Sequence, residues 1–307
     1  MDEFGIIARY FAPLAGDSAF GLRDDAAILP QRAGCDLVVT TDSIAEGVDF
    51  FGFDPPAAIA RKALRVNLSD LAAKGAAPAY YLLNLTLPAT VTPDWLAGFA
   101  EGLAQDQRAF GISLLGGDTS ATDGPFSAAI TAFGFVPQGR MVRRGGARPG
   151  DDVYVTGTIG DSGGGLAIFR REVHSLSDAD RDALIGRYRV PQPPVDFAGT
   201  LREIAHAAVD VSDGLVADLG HVAAASGVRV VIEGEQVPLS PALRALWGEQ
   251  AVRRAVTAGD DYQIAFTGPP GLTGPFTRIG HVEQGEGAHV RIKGAEMVLP
   301  QKGYRHF

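Results

Sequence analysis

Cysteine is almost absent. The 307 residues contain one, Cys35, so neither an internal disulfide nor a thiolate metal cluster can form. Nothing beside it suggests a depressed thiol pKa, and a small residue next to a strand explains it better than a reactive thiol. Long apolar runs are missing too: stretches such as AYYLLNLTLPA fall far short of the roughly 20 residues of a membrane helix. The acidic start MDEFGIIARYF lacks the basic, then hydrophobic, pattern of a secretory leader, so a soluble cytoplasmic protein with no membrane partner is expected. Positive charge is scarce, with 27 Lys and Arg against 36 Asp and Glu, and the net charge of −9 argues against a nucleic-acid partner. The six histidines, His174, His206, His221, His281, His289 and His306, show no metal-ligand spacing. The P-loop pattern GxxxxGK[ST] and the paired HRD and DFG of protein kinases are both missing.

What is present is globular: 46% hydrophobic and 21% charged residues, at a length that suits two domains of about 150 residues each. The segment from 36 to 42, DLVVTTD, reads as a strand. PPAAIARKALRVNLSDLAAKG, from 55 to 75, reads as a long helix opened by proline and closed by glycine. AYYLLNLTLP is β-like, Thr92 is placed to cap the helix that follows, and ISLLGG and FSAAITAFGFVP read as strands. RRGGARPGDD is the best boundary, dividing residues 1–142 from 143–307. Beyond it VYVTG, VRVVIEG, YQIAFTG, FTRIGHV and HVRIK read as strands, interleaved with helices and the glycine-rich TGTIGDSGGG. The expected class is α+β, or mixed α/β.

Asp outnumbers Glu 25 to 11, and the short carboxylates gather at the ends of apolar segments. RDDAAIL carries Asp24 and Asp25 before an expected strand; VVTTDS carries Asp42 behind Thr40 and Thr41 after one. LLGGDTS sets Asp118 behind two glycines, VDVSDGL closes a short apolar run with Asp210 and Asp213, and AGDDYQIAF holds Asp260 and Asp261. Asp70 lies inside the long helix, in a polar stripe with Asn67 and Lys74. Each site alone is ordinary turn or cap chemistry; Asp213, for instance, is placed to cap a helix. As a set, such carboxylates converge only if cations sit among them. Asp, Thr and Ser oxygens without histidine or cysteine clusters favour Mg²⁺, with Mn²⁺ as substitute, K⁺ as a further candidate ion and Ca²⁺ less suited. Mg²⁺ held by few carboxylates keeps positions open for phosphate, which suits phosphoryl transfer. Arg143 and Arg144 either pair a phosphate or are solvated linker charge.

RDDAAIL, TTDSIAEGVDF, RKALRVNLSDLAAKGA, LLGGDTS, GFVPQGRMVRRGGARPGD, VTGTIGDS, DVSDGLVADLGH and AGDDYQIAF follow one another in an order that resembles the thiamine-monophosphate kinase family, over nearly the whole chain to KGYRHF. That family sits in the superfamily of aminoimidazole-ribonucleotide synthetase, selenophosphate synthetase and the hydrogenase-maturation dehydratase; Cys35 matches neither the reactive cysteine of selenophosphate synthetase nor the C-terminal one of the dehydratase. The resemblance implies ATP-dependent phosphorylation of thiamine monophosphate to thiamine diphosphate by direct in-line transfer. It implies a two-domain aminoimidazole-ribonucleotide-synthetase-like fold and a homodimer with paired N-terminal sheets. The N-terminal domain would bind metal and ATP, and the C-terminal domain would complete the site.

By motif position, Asp25, Thr40, Thr41, Asp42, Asp70, Asp118, Asp210 and Asp213 would hold several Mg²⁺ ions, with Asp42, Asp118 and Asp210 the most critical. Gly117, Asp118, Arg144 and Ser212 would meet ATP. Asp49, Asp260 and Gln301 stand at acceptor positions and depart from the family: Asp49 replaces the histidine of EGxHF, Asp260 a common glutamate, and Gln301 an aromatic residue of some relatives. Arg23 replaces the first glycine of the usual GDD. Asp49 would attract the thiazolium and repel a phosphate unless a metal bridges them. A relative using another small acceptor, or a MgATP-binding sensor without turnover, are the alternatives.

Overall fold

The computed structural model describes residues 3–172 and 176–304, so His174 and His306 lie outside the described residues. The chain divides into two compact units: one runs up to Leu71 and takes in Ala76–Met141, the other holds Ala72–Gly75 and the chain from Val142 onward.

The first unit opens with α1 (Glu3–Ile6) and short helical turns as far as Leu22, then runs β1 (Cys35–Ala45), α2 (Pro56–Ala73), β2 (Ala77–Pro88), α3 (Pro93–Phe110), β3 (Ser113–Thr122) and β4 (Ser127–Pro137). Its sheet has the order β1-β4-β2-β3, with β2 and β3 parallel and the other pairs antiparallel. Local sequence sets the helix ends. Thr92 Oγ1 accepts the Trp95 amide at 3.2 Å, Pro93 opens α3, and Gly111 closes it in the left-handed conformation at φ +65°.

Both long helices lie on one face of this sheet: Thr40 of β1 bonds Asp70 of α2, and Gln107 of α3 donates to the Tyr81 hydroxyl of β2 at 3.1 Å. Strand alternation then decides the other face. On β1, Val38 and Ile44 are buried, while Leu37 and Val39 are 45% and 59% exposed. Phe50, Trp95, Phe99 and Phe126 form an aromatic cluster with centroid separations of 4.8 to 6.0 Å. Across α2 and α3, Asp106 accepts two bonds from Arg65, at 2.7 and 2.9 Å, and one from Arg61 at 3.1 Å.

The second unit contains β5 (Asp152–Thr156), α4 (Asp161–Phe169), α5 (Asp178–Arg189), α6 (Ala198–Ile204), β6 (Ala207–Asp210), α7 (Leu215–Ser226), β7 (Arg229–Glu233), α8 (Pro241–Trp247), α9 (Ala251–Ala255), β8 (Ile264–Gly268), β9 (Phe276–Glu283), β10 (Gly287–Ile292) and β11 (Ala295–Glu296). The seven strands order as β11-β10-β7-β9-β5-β8-β6, and only β10 with β7 is a parallel pair. Strands β5, β6 and β8 are buried on both sides, which is why VYVT reads as a continuous apolar run. Val153 and Val155 enter one core with α7, and Tyr154 enters the other with Phe197, Phe266 and Phe276. This is the mixed α/β architecture expected. Among the described residues no helix is long and apolar enough to cross a membrane.

Two local expectations differ from the structure. Asp42 and Asp118 lie inside β1 and β3 rather than past their ends, because each strand keeps a partner through these residues, Ile130 and Asn84 respectively. No strand follows Asp24 and Asp25; Ile28, the would-be strand residue, is 60% exposed.

Candidate functional site

In the first unit, Thr40, Thr41 and Asp42 are consecutive on β1 and so alternate between faces. Thr40 donates to Asp70 Oδ2 at 2.5 Å. Thr41 Oγ1 donates to the Ile130 carbonyl at 3.1 Å and lies 3.2 Å from the Thr131 hydroxyl. Asp42 is exposed on the same side as Thr40. Of the expected polar stripe, Asn67 and Asp70 lie on α2, but the helix ends at Ala73 and Lys74 falls in the turn past it. Asn67 is fully buried, its Nδ2 donating to the Ala63 carbonyl and its Oδ1 without a partner, whereas Lys74, which clusters with the second unit, donates to the Ala208 carbonyl at 2.9 Å.

Gly117 and Asp118 lie on β3, opposite Leu83 and Asn84 of β2. A Cβ at position 117 would fall 1.7 Å from the Leu83 carbonyl oxygen, so the close approach of two backbones already requires this glycine. Asp42, Ile130, Leu83 and Gly117 form one row across the sheet, and Asp118 sits in the next row with Asn84 and Ala129. Alternation thus directs Asp118 to the face opposite Thr40 and Asp42. The strands carrying Asp42 and Asp118 are the two edges of the sheet, three strand spacings or about 14 Å apart. The first unit therefore does not bring Asp42 and Asp118 to one ion. Asp25 is exposed in a loop, its amide donating to Asp24 Oδ1 at 2.8 Å. Asp49 turns back on its own loop, where Oδ2 accepts the Ala45 amide at 2.8 Å and its carbonyl accepts Lys62 Nζ at 2.6 Å.

The second unit gathers its candidates more closely. Asp210 is buried at the end of β6, and the turn that follows carries Ser212 and Asp213 into α7. Asp213 does not cap α7. Asp218, one turn inside the helix, reaches back, and its Oδ2 accepts the amides of Ser212, Asp213 and Gly214 at 3.1, 3.1 and 3.0 Å. Burial, helped by the charge of Asp213, raises the Asp218 carboxyl to about 7, and the three amide bonds oppose that rise. Asp260 donates its amide to the Ser212 carbonyl at 2.7 Å, and Tyr304 donates to the Asp213 carbonyl at 2.9 Å. Gln301 is tied to that C-terminal segment by a 2.6 Å bond to the Gly303 carbonyl. Arg144 is exposed beside Arg143, whose carbonyl accepts the Ala208 amide of β6.

Asp218 is the residue that sequence reasoning missed in holding the Ser212–Gly214 turn. Asp218 reads as a polar position in an amphipathic helix; the signal available was an acid four residues after a glycine that lacks a capping side chain. Among the described residues no three His, Cys, Asp or Glu side chains lie close enough to form a metal site alone. The donors Thr40, Asp42, Asp70, Asp118, Asp210 and Asp213 are all hard oxygens. They fit an ion such as Mg²⁺, which takes one or two carboxylates and completes its shell with water and phosphate, and they do not fit zinc.

Two family models match the chain: AIR synthase related protein, N-terminal domain, over residues 23–136, and AIR synthase related protein, C-terminal domain, over residues 148–293. Thiamine-monophosphate kinase of Caulobacter vibrioides is 42% identical over 99% of this chain and 90% of its own length. The crystal structure of thiamine-monophosphate kinase from Stenotrophomonas maltophilia superimposes with a TM-score of 0.86 at 40% identity, covering 97% of this chain and 98% of that one. AaThiL, solved in complex with AMPPCP and TMP, gives 0.82 at 34% identity over 99% of this chain and 97% of that one. The chain belongs to the thiamine-monophosphate kinase family, built on the AIR synthase related fold.

Proposed function

We propose that this protein transfers the γ-phosphoryl group of ATP to thiamine monophosphate, giving thiamine diphosphate and ADP. The observation that carries this reading is full-length similarity to thiamine-monophosphate kinases, one structural relative of which holds AMPPCP and TMP. An oxygen of the acceptor phosphate forms the new bond to the γ-phosphorus, in line with the β–γ bridging oxygen, which leaves with ADP. Two anions must meet, so the work is positioning and charge neutralisation. Mg²⁺, when bound, supplies that neutralisation.

Asp25, Thr40, Thr41, Asp42, Asp70, Asp118, Asp210 and Asp213 would hold the ions, with Mn²⁺ able to replace Mg²⁺ and K⁺ as an added monovalent ion. The separation of Asp42 from Asp118 supports more than one ion. Gly117, Asp118, Arg144 and Ser212 would meet ATP; Asp49, Asp260 and Gln301 would face the acceptor. Asp218 holds the Ser212–Gly214 amides in place before any ligand arrives. Residues 1–142 would carry metal binding, ATP binding and dimerisation, residues 143–307 would complete the site, and the protein would work in the cytoplasm.

Pure protein incubated with MgATP and thiamine monophosphate is expected to form thiamine diphosphate. Absence of product across a range of Mg²⁺ and K⁺ concentrations overturns the assignment, and an acceptor screen read by ADP release then identifies the true substrate class. The exposed Leu37 and Val39 on the open face of β1 support pairing of two such sheets in a homodimer. Val39→Glu is expected to convert dimer to monomer in sedimentation velocity. A wild-type monomer at micromolar concentration would refute the pairing.

A further inference from the structure

The segment AGDDY, residues 258–262, differs from the turns around it. Asp260 and Tyr262 have left-handed backbones, φ +67° and +51°, and neither is glycine. Non-glycine residues avoid this region unless their surroundings hold them there. Here the holding groups belong to the DVSDG turn. The Asp260 amide donates to the Ser212 carbonyl at 2.7 Å, the Tyr262 amide donates to the Val211 carbonyl at 2.8 Å, and the Val211 amide returns to the Gln263 carbonyl at 2.8 Å. Gly259 packs so closely that a Cβ on it would come within 2.6 Å of the Ser212 carbonyl oxygen.

Between these two strained residues, the buried Asp261 carboxylate reaches a different loop. It accepts the Gly160 amide at 2.6 Å and approaches the Ser162 amide at 3.4 Å. These are the amide of Gly160, the N-cap of α4, and that of Ser162, the second residue of the helix, and Gly160 has no side chain to cap the helix itself. Asp161, the acid within α4 itself, is engaged elsewhere, by Thr158 and Ser240 hydroxyls at 2.5 Å each. Asp261 is therefore the external cap of α4, and the backbone on either side of it is bonded to the turn that bears Ser212 and Asp213.

We propose that Asp261 is a positioning residue, coupling the glycine-rich TGTIGDS turn to the DVSDG turn and so fixing Ser212 and Asp213 for the nucleotide. The inference rests on the reading that the DVSDG turn meets ATP. Asp261→Asn keeps the shape of the side chain but turns an amide toward a backbone N–H, removing one acceptor. Calorimetric titration of the full chain with MgAMPPCP is expected to show Kd raised about tenfold in this variant. In turnover, KM for ATP is expected to rise while kcat stays within about twofold. Gly259→Ala, which pushes the segment away from Ser212 without touching the carboxylate, is expected to raise Kd in the same way. Ser162→Ala leaves the amide bond intact and is expected to bind as wild type.

An Asp261→Asn protein that melts earlier yet binds MgAMPPCP with unchanged Kd below its melting range overturns the proposal. If that variant does not fold, Gly259→Ala decides: raised Kd supports the coupling, unchanged Kd refutes it, and failure of both variants to fold refutes it as well, since positioning requires a folded protein with altered affinity. Wild-type protein that binds MgAMPPCP without making thiamine diphosphate sinks the kinase reading and leaves this one open to the same comparison of Kd values. Wild-type protein that binds no MgAMPPCP sinks both.

Discussion

Replacing Asp42 by asparagine is expected to lower turnover by about three orders of magnitude, some 4 kcal/mol of transition-state stabilisation, while the protein stays folded. The expectation follows from where the residue sits. Asp42 is an exposed side chain within the β1–β4 ladder, and asparagine preserves both the ladder and the side-chain shape. What is lost is the negative charge, and a neutral amide oxygen is a much weaker ligand for a hard divalent ion. Steady-state rates at saturating MgATP, set beside a thermal melt, give the two readings. Asp118→Asn is expected to show the same pattern from the opposite face of the sheet. Full activity in either variant would remove that residue from the metal set, and full activity in both would discredit the metal assignment for the first unit.

The largest loss of stability is expected from Asp106→Ala. Asp106 and Arg65 are nearly inaccessible to water, at 1% and 4% exposure, and Asp106 also receives Arg61. A buried ion pair adds little over an apolar pair of the same shape, yet removing one member leaves an uncompensated charge. Truncation at 106 takes away both bonds that the Arg65 guanidinium makes to the Asp106 carboxylate, in a place where water hardly reaches it. The expected cost is about 3–5 kcal/mol in chemical denaturation of the first unit. A cost below about 1 kcal/mol would mean that Arg65 reaches water once its partner is gone. Because α2 also presents Asp70 to Thr40, the variant tests whether this helix–helix link supports the candidate metal residues.

Much of this architecture was legible in the residues themselves. Proline at 55 and 56 and glycine at 75 bracket α2 closely, and Thr92 caps α3 as its position before Pro93 suggested. Local chemistry of this kind acts within one turn of chain and can be read from it. The extent of β1 and β3 could not be read in the same way, because Asp42 and Asp118 look like residues that end strands. They remain in the ladder because partners across the sheet continue past them, and that information lies about 90 and 35 residues away in the chain. The site was legible as a set of aspartates but not as an arrangement. Nothing in LLGGDTS says which face Asp118 takes, and the strand order that separates it from Asp42 is a property of the whole sheet. Asp218 escaped for the same reason, since it acts on amides that only the fold brings near it.

The approach of Gly117 to Leu83 carries a consequence for how this strand can vary. With no side chain tolerated there, a slip that brought Asp118 opposite Leu83 would drive its Cβ into the Leu83 carbonyl, place Thr119 where Asp118 now points and send the acid to the side of the helices. The glycine thus acts as a keyway: it fixes which side of the sheet receives the charge. One residue inserted between Gly117 and Asp118 would invert that choice without altering a single acidic residue.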